Sequence, residues 1–203
     1  MSLITRVSIT PSRVWLNVPG AFYSGTAANG TITLASKAPA GGLATQLKSS
    51  NPGALTLPSS VIVPSGSTSE QFKISSIPVS TPTTVTISAT CAVGVFSVTT
   101  VVLPAPLYAV GANATTALGG DPLTGIVTLD GLAPSAGALV QLASNAPGAL
   151  TVPSSVTVAG GMGRVSFEIV TYPVAKDTTV TLTATLGGSS KSVTILVKTG
   201  PSR

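Results

Sequence analysis

Apolar and polar residues alternate with period two in short runs along this chain, and the runs come in matched pairs. Ile32 and Leu34 alternate with Thr31 and Thr33, and Val127 and Leu129 repeat the arrangement further on. Phe72 and Ile74 are matched by Phe167 and Ile169. Val85, Ile87 and Ala89 are matched by Val180, Leu182 and Ala184. Successive side chains of a strand point to opposite faces, so this period predicts half-buried β-strands with the named residues turned inward. Val61 with Val63 and Val98 with Val102 extend the first core. Val156 with Val158 and Val193 with Val197 extend the second. Pro39, Gly42, Pro58, Gly66 and Pro78 punctuate the first set of runs as turns.

The pairing is a duplication. Gly30-Thr-Ile-Thr-Leu34 returns as Gly125-Ile-Val-Thr-Leu129. Pro52-Gly-Ala-Leu-Thr-Leu-Pro-Ser-Ser-Val61 returns as Pro147-Gly-Ala-Leu-Thr-Val-Pro-Ser-Ser-Val156, and Thr83-Thr-Val-Thr86 as Thr178-Thr-Val-Thr181. The offset is 95 residues without a gap from Gly30 to Val102, and roughly half of those positions are identical. Short strands separated by turns, about seven to a copy, are the pattern of an all-β sandwich. Two domains are expected, residues 1–103 and 107–203, joined by the short, stiff link Pro104-Ala-Pro106.

Several phrases carry a resemblance. Gly30–Leu34, Ala38–Gly42, Pro58–Gly66, and Pro78-Val79 running on to Thr83–Ala89 resemble the bacterial immunoglobulin-like repeats of secreted and cell-surface proteins. The likeness covers nearly the whole chain. It implies two tandem immunoglobulin-like β-sandwich domains, an extracellular or cell-surface setting, and a role in spacing, presentation and adhesion. It supplies no catalytic residues. The antibody hallmark, a Cys pair bracketing a Trp, is absent.

Composition narrows the chemistry. Charged residues are 7% of the chain and histidine is absent, which removes the commonest general base and metal ligand. No Ser-His-Asp or Cys-His nucleophile can be built. The five acids are Glu70, Asp121, Asp130, Glu168 and Asp177; no Asp-x-Asp cluster marks a calcium site. Glu168 is expected to alternate outward, and its counterpart is Lys73. A non-enzyme without cofactor or metal follows. The net charge is +5, but the ten Lys and Arg are scattered, so no nucleic-acid patch is expected. The charge-free stretch between Lys73 and Asp121 is broken by Pro78, Pro82, Pro104 and Pro106, so no membrane insertion is expected. The first residues, Met1 to Arg6, lack the pattern of a secretory signal. Cys91 is expected to be a small core residue late in a strand, and Gly160-Gly-Met-Gly163 a hairpin tip.

One feature breaks the duplication. Trp15, Phe22 and Tyr23 precede the gapless match, and at the same offset the second copy has Val110, Ala117 and Leu118. Clustered aromatics are a candidate contact for a sugar or a protein partner. The sequence therefore points to a structural or adhesive module that meets a protein or glycan surface. A self-assembling subunit of a filament, sheath or virion surface, pairing with copies of itself, is the second expectation, because few charges guard its strand edges. Leu3–Ile9 is the segment expected to donate or accept a strand there. A carbohydrate-binding module is the third.

Overall fold

The computed structural model describes residues 13–200, and every regular element among them is a β-strand. The chain divides into two compact units. One holds the described residues up to Phe22 with Thr26–Ile77 and Thr81–Leu103; the other holds the described residues from Pro104 onward with Tyr23–Gly25 and Pro78–Ser80.

Nine strands occupy the first copy. They are β1 (Val14–Asn17), β2 (Ala21–Tyr23), β3 (Ala27–Leu34), β4 (Leu43–Ser49), β5 (Leu55–Thr56), β6 (Ser60–Val63), β7 (Ser69–Ser76), β8 (Thr83–Cys91) and β9 (Gly94–Leu103). The second copy repeats them as β10 (Leu107–Ala112), β11 (Thr116–Leu118), β12 (Leu123–Leu129), β13 (Ala138–Ser144), β14 (Leu150–Thr151), β15 (Ser155–Val158), β16 (Arg164–Thr171), β17 (Thr178–Leu186) and β18 (Ser189–Lys198). In each copy a four-stranded sheet faces a five-stranded one: β1-β3-β7-β5 with β2-β9-β8-β4-β6, and β10-β12-β16-β14 with β11-β18-β17-β13-β15. Nine strands replace the expected seven for two reasons. The leading segment splits between the sheets as β1 and β2, and a two-residue strand, β5, adds one more pairing to β7.

The inward positions are those the alternation marks. Ile32, Phe72, Ile74, Val85, Ile87 and Ala89 are buried, as are Val127, Phe167, Ile169, Val180, Leu182 and Ala184. Gly30 pairs with Phe72 and Gly125 with Phe167 across the sheet, and the far end of the ring reaches over the glycine. A Cβ on either glycine would collide with the Cζ end of that ring, so glycine is required here for space. Hydroxyl groups close the strand ends. Ser76 Oγ donates to the Thr26 carbonyl at 2.9 Å, and its counterpart Thr171 donates to the Asp121 carbonyl at 2.6 Å while accepting from the Gly120 amide at 3.0 Å. Ser50 Oγ and Asn145 Oδ1 accept from the equivalent amides of Thr86 and Thr181, at 2.9 and 2.8 Å.

Three local expectations change. Cys91 is half-buried at the end of the β8–β9 hairpin, opposite Gly94, and is not a core residue; the core does not extend to the hairpin tip. Val98, Val156 and Val193, expected in the cores, are also only half-buried. Gly160–Gly163 joins β15 to β16, which belong to different sheets, so it is a crossover and not a hairpin tip. Leu3–Ile9 lies outside the described residues.

Candidate functional site

With the inner faces committed to the cores, chemistry is left to the outer faces and the loops. On the five-stranded sheet of the first copy the outward side chains of β8 are Thr84, Thr86, Ser88 and Thr90, set against Val101, Thr99, Ser97 and Val95 of β9. The second copy presents Thr179, Thr181, Thr183 and Thr185 against Leu196, Thr194, Ser192 and Ser190. Threonine suits such rows because its β-branch fits the pleat and cross-strand Thr pairs support each other. Gln46 and Gln141 also occupy matching outward sites on β4 and β13. The Thr and Ser rows of β8–β9 and this Gln are largely kept between the copies, while Ala44, Lys48 and Ile62 become Leu139, Ala143 and Thr157.

The four-stranded sheet behaves differently. Its outward positions in the first copy include Trp15 on β1, Asn29, Thr31 and Thr33 on β3, and Ser69, Gln71, Lys73 and Ser75 on β7. Register places Trp15 beside Thr33, Asn17 beside Thr31 and Gln71, and Asn29 beside Lys73. The Arg13 guanidinium sits over the Trp15 ring, 5.8 Å from its centroid, within reach of a cation–π contact. The second copy keeps Thr33 as Thr128 but carries Thr124, Ile126, Arg164, Ser166, Glu168 and Val170 at the other sites of the two matching strands. The hydroxyl rows of one face have been held, and the other face has been rewritten.

The three aromatics expected to cluster are not on loops and do not share a face. Trp15 is 43% exposed on β1 in the four-stranded sheet, whereas Phe22 and Tyr23 lie on β2 in the five-stranded sheet. The seven-residue separation of Trp15 and Phe22 hides this, because the chain changes sheets between them. Phe22 is half-buried and Tyr23 is 39% exposed. The residue matching Trp15 is also revised. Trp15 faces Thr33, and the residue facing Thr128 is Ala109, not Val110. The 95-residue offset holds as far back as β2 and β11. It fails ahead of them because the second copy has one residue more between β10 and β11 than the first has between β1 and β2; β10 carries a further register shift at Tyr108. Tyr108, 64% exposed, is a surface aromatic that strand alternation could not single out, since an irregular residue has no parity.

The carboxylates stay apart. No group of three or more Cys, Asp and Glu side chains converges among the described residues. Glu168 lines a shallow hollow with Pro122, Thr124 and Ser166, without a second acid. Asp177 accepts the Thr199 amide at 2.9 Å, a tie between the β16–β17 loop and the chain after β18.

No family model matches the chain, and no curated protein matches it. Solved structures do. Invasin, a bacterial integrin-binding protein, is 15% identical over 94% of this chain with a TM-score of 0.50; the match spans 40% of the invasin chain. InvD of Yersinia pseudotuberculosis is 12% identical over 95% of this chain and 59% of its own, with a TM-score of 0.37. The titin domains Z1Z2 in complex with telethonin are 12% identical over 91% and 96%, with a TM-score of 0.34. The likeness to invasin shows the fold: immunoglobulin-like β-sandwich.

Proposed function

We propose that this chain is a non-catalytic structural and adhesive module, a two-domain piece of a secreted or cell-surface protein that meets a protein or glycan surface. One observation carries the reading: the same sandwich occurs twice, with the hydroxyl rows of one outer face held and the other outer face rewritten. A scaffold copied in this way separates the job of holding shape from the job of making contact. The surface left to it is made of hydroxyls, amides and a few exposed aromatics, which is the chemistry of recognition and not of proton transfer. Invasin, of similar fold, binds integrins and gives one example of such use. Residues 1–103 and 107–203 are read as separate domains, each folding alone, with Pro104-Ala-Pro106 as the link. Expression of either half alone checks this: each is expected to unfold cooperatively at its own midpoint. For the module itself, sedimentation of the full chain over a wide concentration range is expected to show a monomer.

A self-assembling subunit is the second reading, favoured by the outer face of the five-stranded sheets. Lys48 is the charge among the outward residues of that face in the first copy, and Lys198 in the second. Such neutral faces and edges do little to repel another copy. Large ordered particles in the same sedimentation experiment would move this reading ahead of the module.

A further inference from the structure

We propose that the outer face of β1-β3-β7 in the first copy is a binding site for an acidic polysaccharide, with Trp15 as its stacking platform and Arg13 and Lys73 as its charge-recognising groups. The proposal rests on the reading of the chain as a non-catalytic binding module and names the ligand class. Three independent observations meet on this face.

The first is the side-chain set. Sugars offer flat apolar faces edged with hydroxyls, so they are recognised by an exposed aromatic ring flanked by amides and hydroxyls. Trp15 supplies the ring, and the row Asn17–Thr31–Gln71 supplies the flank. Lys73 lies across β3 and four residues along from the Trp15 row, roughly 15–17 Å away by strand rise and spacing, which a short oligosaccharide can bridge.

The second is charge. Residues 1–103 contain Arg6, Arg13, Lys37, Lys48 and Lys73 but a single acid, Glu70. Glu70 alternates inward on β7, beside Ile32. Two cations and no carboxylate therefore project from this face among the described residues. A bound uronate or sulfate meets attraction there and no like charge.

The third is the duplication, which supplies an internal control. On the same scaffold the second copy has Ala109 for Trp15, Gly111 for Asn17, Ile126 for Thr31, Ser166 for Gln71 and Glu168 for Lys73. At these matching positions the indole and the amides are absent and Lys73 is replaced by an acid; the second face carries Arg164 at the Ser69 site and the bulge residue Tyr108 beside Ala109 instead. Folding does not require this set, since β10-β12-β16 forms without it.

Trp15 is the only tryptophan, so its fluorescence reads the site directly. Oligogalacturonate, a uronate, and a heparin-derived oligosaccharide, a sulfated glycan, are titrated into the full chain. Maltohexaose serves as the neutral sugar and polyglutamate as the acidic peptide. An emission shift with one or both acidic glycans, weakened by salt, is expected, and which of the two acts identifies the acid group. Lys73→Glu, which copies the second domain and so keeps the sheet, is expected to weaken binding by about tenfold. Trp15→Ala, followed by affinity electrophoresis, is expected to lose as much. A silent titration overturns the proposal, as does a response as strong to maltohexaose or polyglutamate, or binding that neither substitution weakens. The sedimentation result is unaffected by any of these, so the failure of the site and the failure of the module reading are distinguishable.

Discussion

Thr45 offers a test of how this fold is held together. It lies on β4 between Leu43 and Leu47 with its side chain turned inward, fully buried, and its hydroxyl has no hydrogen-bond partner among the described residues. The matching residue in the second copy is Val140, equally buried on β13. Threonine and valine have nearly the same shape, so Thr45→Val changes the chemistry at that point and little else. A buried hydroxyl left without a partner costs roughly 1–3 kcal/mol in proteins. The substitution is therefore expected to stabilise the first domain by about 1–2 kcal/mol, with a midpoint rise of roughly 4–8 °C per kcal/mol for a domain of this size. The reverse exchange, Val140→Thr, is expected to destabilise the second domain by about 1–3 kcal/mol. Trp15 fluorescence follows the first domain alone, whereas circular dichroism follows both. Thr45→Val should thus raise the fluorescence midpoint, and Val140→Thr should leave it in place while lowering part of the dichroism transition. A fluorescence midpoint that falls or stays fixed in Thr45→Val would refute the reasoning, because the hydroxyl would then have to be satisfied in the native state.

Phe72→Ala is expected to cost the first domain about 3–5 kcal/mol by leaving a cavity over Gly30, read as a lower urea midpoint. Gly30→Ala should be nearly as damaging in the presence of the ring and much less so in the Phe72→Ala background; additive losses would show that ring and glycine do not share their space. Thr171→Val removes the hydroxyl that holds the Leu118–Asp121 turn, and is expected to cost about 1–3 kcal/mol with faster hydrogen exchange at the Gly120 amide. Unchanged exchange at Gly120 would count against that tie.

The strands and their inward residues were legible because parity is local. Once Ile32, Phe72 or Val180 is placed on a strand, its neighbours' faces follow, and the duplicated copy checks each assignment. Gly30 was visible as the start of a repeated phrase, but its reason was not. The need for glycine comes from the Phe72 ring, 42 residues away in the chain and opposite it only through the β3–β7 register. The site shows the same limit more sharply. Trp15, Phe22 and Tyr23 stand close together in sequence and carry the right chemistry for a contact, yet β1 and β2 pair with different sheets. Asn17, Gln71 and Lys73 gave no signal of their own and join Trp15 only through pairing across β3. Tyr108 escaped for a related reason: a register shift has no parity to read. One extra residue between β10 and β11 moves the counterpart of Trp15 from Val110 to Ala109. Alternation tells which side of a strand a residue takes. Which sheet the strand joins, and which residues it meets there, is decided by hydrogen bonding between segments far apart in the chain, and that free energy is nonlocal.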